Sequence, residues 1–299
     1  MNSIIKIGTR SSKLALWQAA TVKQLINENN AFAEIIPVES HGDIDLKTPI
    51  YELGIQGVFT KNLDVALINK QIDIAVHSYK DVPTKLAEGL VIAAVLKRDN
   101  PFDLLIFKES PEVITKIATS SIRRKAQWLN RYPDHELFNV RGNVQTRLTK
   151  FSIENWDAII FAAAGLERLD IVPENSKILD WMLPAPAQGV VVIVCREDDD
   201  EALNVCCSLN DNGTALCTSI ERDFLSHLYG GCSAPIGAFA TIENDRVHFK
   251  GNLMSINGKI RFDIEEFFPL EDAKHCGITA AKKILQAGGA TIIDELRGK

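Results

Sequence analysis

The chain contains no run of about 18 apolar residues of the kind that spans a membrane. Its first residues, MNSIIKIGTRSSKLAL, lack a long apolar stretch ahead of a small-residue cleavage site. Neither a membrane span nor a secretory leader is therefore expected, and the cytoplasm is the expected compartment. There is no C-x-x-C pair among Cys195, Cys206, Cys207, Cys217, Cys232 and Cys276. A structural zinc site is thus not expected, and in a cytosolic chain the thiols should be reduced. H-E-x-x-H, G-x-S-x-G, the P-loop and G-x-G-x-x-G are all missing, which removes the usual metalloprotease, α/β-hydrolase, nucleotide-phosphate and nicotinamide readings. Positive charge is not in excess either. The formal net charge is -6, so the molecule as a whole is no general binder of nucleic acid or membrane surfaces.

What is present is an ordinary soluble composition, 46% hydrophobic and 24% charged, in 299 residues. That length accommodates two or three cores. Short apolar runs alternate with helical patterns. IIKIG, AEIIPVES, DIAVHS and LVIAAVLKR read as strands, with helices over Ser11 to Asn29 and in FTKNLDVALIN. In the first helix Leu14, Trp17, Val22, Leu25 and Ile26 fall on the inner face. A second series follows: KIATS, HELFNV and DAIIFAA as strands, SIRRKAQWLNR and VQTRLTKF as helices. This is α/β architecture, which binds ligands at the carboxyl ends of its strands.

Asn100-Pro101 marks a crossing between two domains, because the residue before proline resists helix. MLPAPAQGVVVIVCRE reads as the return, with a buried strand at its end. Beyond Asp211 the pattern becomes α+β: a helix over Ala215 to Leu228, three strand-like runs and a last helix. Asn257-Gly258 supplies the turn of a hairpin. The acidic run Glu197–Glu201 reads as a solvated helix N-terminus. The expected domains are 1–98 with 189–209, then 99–188, then 210–299.

Basic residues gather where strands run into helices: Arg10, Lys13, Lys80, Arg123, Arg124, Arg141, Arg147 and Arg168. Several stand beside Ser, Thr, Gly or Asn at helix starts, where backbone N–H groups already favour anions. Each arginine alone reads as a solvated surface residue. As a set behind successive strands they suggest a multiply anionic ligand held between the first two domains. Asp81, at the end of a buried strand, suits either a turn or acid–base work. His77, alternating with apolar neighbours, reads as a buried, hydrogen-bonded histidine. Five cysteines read as small core residues. Cys232 differs: in HLYGGCSAPIGAFA it sits behind two glycines, a setting open to core thiol, metal ligand, nucleophile or carrier.

Taken together the chain resembles the porphobilinogen deaminase (hydroxymethylbilane synthase) family, through IGTRSSKLALWQA, GVFTKNLDVAL, DIAVHSYKDVP, SSIRRKAQ, VRGNVQTRL, DAIIFAAAGLERL, LPAPAQG and ERDFLSHLYGGCSAPIGAFA in that order. The resemblance implies two α/β domains like the halves of a periplasmic solute-binding protein, plus a C-terminal α+β domain with a three-stranded antiparallel sheet. It implies a transferase that joins four porphobilinogen molecules head to tail with loss of ammonia, working as a cytoplasmic monomer without metal. Cys232 then matches the cysteine that holds a dipyrromethane cofactor by a thioether, and Asp81 the catalytic aspartate. Lys80, Ser12, Thr119, Ser120, Ser121, Arg123, Arg124, Arg147 and Gln188 match cofactor-binding positions. Arg10, Arg141, Asn143 and Arg168 match substrate-binding ones. The chain departs from the pattern at Gln56, Phe102, Ala118, Gln145 and Ala187. Two rivals remain at this level: a two-lobed anion-binding protein without enzymatic activity, and a cysteine-nucleophile transferase without a cofactor.

Overall fold

The computed structural model describes residues 4–39, 60–228 and 234–297. Cys232 lies outside these residues, as does Gln56.

The first sheet begins with β1 (Ile4–Thr9), followed by α1 (Lys13–Glu28), β2 (Phe32–Pro37), α2 (Lys61–Ile68), β3 (Ile74–Ser78) and β4 (Leu90–Val95). The helix at 13–28 starts where expected because Ser12 caps it, accepting from the Ala15 N–H. Its inner face packs Ala19, Val22 and Ile26, all fully buried, on the sheet. Trp17 is the exception to the sequence expectation: it is 37% exposed and lies 5.7 Å from the Arg168 guanidinium.

The chain crosses at Asn100 into a second sheet. Its elements are β5 (Asp103–Phe107), β6 (Lys116–Ala118), α3 (Ile122–Arg131), β7 (Glu136–Phe138), α4 (Val144–Ile153), β8 (Ala158–Ala162), α5 (Ala163–Glu167) and β9 (Ser176–Leu179). It then returns through β10 (Val191–Arg196) to the first sheet. β10 is buried at every position, as a strand covered on both faces should be.

The strand orders are β2-β1-β3-β10-β4 and β7-β6-β8-β5-β9. In each sheet three parallel strands are followed by an antiparallel one that has come across from the other crossing: β10 runs against β3, and β5 against β8. The two sheets are thus built alike and share two crossings, the two-lobed arrangement expected.

The crossings touch. Asp99 N–H donates to the Gly189 carbonyl at 3.0 Å. Gly189 has φ +84°, and a Cβ there would stand 2.9 Å from the Asp99 oxygen, so only glycine fits. Two residues earlier, Ala187 holds φ +60° where glycine would be unstrained, at a cost of about 1–2 kcal/mol.

The remainder is α6 (Asp200–Cys207), α7 (Asn212–Leu228), β11 (Ile236–Glu243), β12 (Arg246–Met254), β13 (Arg261–Pro269), α8 (Ala273–Ile284) and α9 (Ala290–Arg297). β11, β12 and β13 form the antiparallel sheet expected, and helices 212–228 and 273–284 cover one face. Phe224 and Phe249 meet edge to face at its centre, 5.2 Å apart. Gly258 takes the positive φ of the expected turn (+72°). The tightest hairpin is elsewhere: Asn244 and Asp245 both have positive φ and join Glu243 directly to its pair Arg246. The acidic run forms an exposed helix N-terminus as expected, with Asp199 alone half-buried. Asp199 caps α6 through the Ala202 N–H and pairs with the buried Arg196.

Candidate functional site

Three strand-to-helix junctions meet between the two sheets. The first follows β3. Its residues are buried up to His77, and the chain then makes one 3-10 turn, Tyr79–Asp81. Tyr79 N–H donates to the Val190 carbonyl at 2.9 Å, which ties this turn to the return crossing. A cavity of about 80 Å³ opens beside it, lined by Arg10, Ser12, Gln18, His77, Ser78 and Asp81 among others. A larger hollow, about 560 Å³, lies on the outside of α1 and β2, but none of the residues singled out from the sequence lines it. His77 is buried as expected, yet its Nε2 finds no hydrogen-bond partner among the described residues. Burial, helped by the positive charge of Arg10, pushes its pKa down to about 4. It therefore faces the cavity as a neutral imidazole at physiological pH.

The second junction follows β6. Ser121 caps α3 by accepting from the Arg124 N–H, and Thr119 Oγ1 accepts from the Ser121 N–H. Ser120 Oγ both donates to and accepts from the backbone of Val140, which locks this loop to the one after β7. The polar side chains here shape the loop, and the helix then carries Arg123 and Arg124 inward.

Both arginines converge on a residue that the sequence did not mark. Asp103 is fully buried at the start of β5. Its Oδ1 accepts from Arg124 Nε at 3.1 Å, Arg124 Nη2 at 2.8 Å and Gln188 Nε2 at 2.9 Å. Its Oδ2 lies 2.8 Å from Arg123 Nη1, close enough for an ion pair but not aligned as a hydrogen bond, so Oδ2 and Arg123 Nε are left without hydrogen-bond partners among the described residues. Burial alone would raise the carboxyl's pKa. The Arg123 and Arg124 charges outweigh it and hold the group far below the carboxylate range. Gln188 extends the chain, taking a hydrogen bond from Lys80 Nζ at 3.3 Å. Burial pushes Lys80 down to about 8, against the upward pull of Asp81 and Asp103.

The third junction follows β7. Arg141 is buried, and Asn143 caps α4 through the Thr146 N–H. Arg147 donates Nε to the Gly142 carbonyl at 2.7 Å. Burial and the nearby Arg124 and Arg141 charges lower its pKa to about 10, with Asp81 opposing. The sequence-chosen residues on both lobes thus act on one another across the space between the sheets.

Arg168 stands apart. From just beyond α5 it donates to Asp99 Oδ2 and to the Gly189 carbonyl, both at 2.8 Å. It sits on the crossings. Besides Asp103, sequence reasoning missed Arg98, Glu221 and Arg222. Arg98 and Glu221 form a bidentate pair, both bonds 2.8 Å, that ties the first crossing to α7. The available signal was a charge set into an apolar run: Asp103 opens DLLIF, and Glu221-Arg222 interrupt the buried face of a helix. Of the five cysteines expected in cores, Cys195, Cys206, Cys217 and Cys276 are buried and Cys207 is exposed. Burial raises the buried thiols to between about 11 and about 12.

Comparison with known proteins matches residues 5–204 to the family model "Porphobilinogen deaminase, dipyromethane cofactor binding domain" and residues 215–286 to "Porphobilinogen deaminase, C-terminal domain". The chain is 39% identical over 306 residues to the porphobilinogen deaminase of Desulforamulus reducens, with 99% of both chains covered. It is 40% identical over 309 residues to that of Listeria monocytogenes, again with 99% of each covered. Among solved structures it is similar to the L-cystine solute receptor of Neisseria gonorrhoeae, at 15% identity and TM-score 0.38, over 70% of this chain and 85% of that one.

Proposed function

The chain belongs to the porphobilinogen deaminase family, and from that premise we propose that Asp81 and the cations gathered around Asp103 are the working parts of its transferase reaction. The reaction joins four porphobilinogen molecules, releases ammonia at each step and ends as hydroxymethylbilane. The observation that carries the assignment is the continuous chain Lys80–Gln188–Asp103–Arg124, with Arg123 on the same carboxylate. It delivers buried positive charge from the second lobe to the turn that holds Asp81 on the first.

The family's dipyrromethane carries acetate and propionate side chains, so its holder must supply fixed cations and hydroxyls. The donor set fits. Arg123 Nε is buried and without a hydrogen-bond partner among the described residues. Lys80, Arg147 and the Ser12, Thr119, Ser120 and Ser121 hydroxyls are assigned to the same group, with Gln188 orienting Lys80. When bound, the cofactor supplies a covalent primer on which the growing chain is held. Cys232 is the proposed anchor. The four buried thiols are poor candidates, since a thiol pushed above 10 is hardly ionised at neutral pH.

Arg10, Arg141 and Asn143 are assigned to the carboxylates of the incoming substrate, and Arg168 to the same task acting from the crossings. The Asp81 carboxylate beside a pyrrole N–H stabilises positive charge as ammonia leaves and takes part in the proton transfers. Neutral His77 adds no competing charge to that cavity. The domains proposed are 1–98 with 189–209, 99–188 and 210–299. The protein is proposed to work as a cytoplasmic monomer without metal or membrane attachment; no helix among the described residues is long and apolar enough to cross a membrane.

Intact-mass measurement tests this assignment. Protein purified from a host that makes porphobilinogen should be heavier than its sequence by two linked pyrroles, and Cys232→Ala should have the bare sequence mass. An unmodified wild type, or a modified alanine variant, overturns the anchor.

A further inference from the structure

The turn that carries Asp81 is gripped from outside its own sheet. Arg222 lies within α7 and is 8% exposed. Its Nη1 donates to the Val82 carbonyl at 2.9 Å and to the Tyr79 carbonyl at 3.3 Å, and its Nη2 donates to the Pro83 carbonyl. The guanidinium also lies 4.4 Å from the centre of the Tyr79 ring. The three carbonyls bracket Asp81: Tyr79 precedes Lys80, while Val82 and Pro83 follow the aspartate directly. The Tyr79 carbonyl also accepts from the Val82 N–H at 3.2 Å, while the Val82 and Pro83 carbonyls lie past the end of the turn, where its own hydrogen bonds do not reach. A charged, planar fork satisfies them more strongly than a neutral donor and fixes their direction as well.

The far end of this bridge is equally fixed. The preceding residue, Glu221, is fully buried. It accepts from the Ala187 and Ala240 N–H groups at 2.7 and 2.8 Å, besides its pair with Arg98. Neither α7 nor the turn can shift without breaking buried charge-assisted bonds.

We propose that Arg222 is a positioning residue for the transfer reaction, setting the aim of the Asp81 carboxylate through the backbone on either side of it and touching no substrate. This rests on the reading of Asp81 as the catalytic carboxylate. A misplacement of about 1 Å at a reacting group is enough to slow a reaction about 100-fold, which is the leverage available to a side chain that holds carbonyls on both sides of Asp81.

The test is a double-mutant cycle on the holoenzyme with porphobilinogen as substrate: Arg222→Met, Asp81→Asn and the pair, each checked by intact mass for its cofactor. Arg222→Met should keep the cofactor and hold KM within about threefold while kcat falls about 10- to 100-fold. In the Asp81→Asn background the same change should alter kcat by less than about twofold, because the group being aimed is gone. An unchanged kcat in Arg222→Met, or an equal loss in both backgrounds, overturns the proposal and leaves Arg222 as a structural clamp. If the methionine variant fails to fold, Arg222→Lys, which keeps the charge and loses the fork, is taken through the same cycle and judged by the same two outcomes. Near-normal turnover in Asp81→Asn alone removes the Asp81 assignment, and the Arg222 proposal with it, and is distinguishable because the additive result requires Asp81→Asn to be slow.

Discussion

The junctions after β3 and after β8 occupy the same place in two sheets of one strand order, yet they have been put to different uses. After β3 the chain makes a short turn that presents Lys80 and Asp81 to the space between the lobes. After β8 it enters α5 at once, and Arg168 beyond that helix reaches back to the two crossings. The junctions after β1 and β6 differ less. Each begins its helix with a capping serine, Ser12 or Ser121, but only the second follows it with two buried arginines. One lobe therefore contributes a carboxylate and a neutral imidazole, the other most of the fixed positive charge. Equivalent topology positions a functional group; it does not decide which group it is.

If the acid–base chemistry resides on the β3 side, the largest single break is there. Asp81→Asn keeps the shape of the turn and its hydrogen-bonding length but removes the charge. Turnover of porphobilinogen should fall by about 10²- to 10⁴-fold with the cofactor still present by mass. A variant with near-normal turnover would move the chemistry to another group and dissolve the contrast between the lobes.

The corresponding break on the second lobe is Asp103→Asn, and it should appear first as lost stability. Arg123 and Arg124 are 5% and 6% exposed, and without the carboxylate their charges are buried uncompensated. That costs about 3–5 kcal/mol, to be read as a fall in the urea midpoint. The pH dependence has a definite sign. The folded carboxyl lies far below its ordinary 3.8, so its contribution is fully present above that pH and drains away as the pH falls below it. The gap in stability between wild type and Asp103→Asn should be wide at neutral pH and narrow in acid. Equal acid sensitivity in the two proteins would show that Asp103 is not the counter-charge of the arginine pair.

These two sites also show where sequence reading succeeds and where it stops. Ser12, Ser121 and Asn143 were legible as helix starts because a cap is made within three residues. The two α/β series followed from short-range periodicity, and the crossing at Asn100 from the proline after it. β5 and β9 were missed. They are the antiparallel strands on the second sheet's far side and stand outside the strand–helix alternation from which the other strands were read. The Asn244-Asp245 hairpin was hidden because neither residue is glycine, although both take positive φ. Asp103 was invisible as a hub because its partners lie 21 and 85 residues away. Arg222 and its carbonyls are about 140 residues apart. The chemical groups could be picked out by local pattern; what holds them in place is long-range and needed the fold.

Arg168 gives the smallest effect and the sharpest reading of the comparison. The family pattern places it with the substrate arginines, while its guanidinium lies on Asp99 and on the Gly189 carbonyl, over the ring of Trp17. Its Asp99 partner is half exposed, so solvent screens that pair, and most of the local gain comes from the buried carbonyl bond. Arg168→Met should therefore lower stability by only about 1–2 kcal/mol. It should leave the cofactor mass intact and raise KM less than about tenfold, through looser control of the crossings. If stability is untouched and KM rises further, Arg168 must leave the crossings to meet the substrate, and the junction after β8 would match the one after β3 in function as well as in place. If stability falls while KM stays within that limit, the two junctions have diverged: one holds the reacting carboxylate, and the other holds the lobes that bring the cations to it.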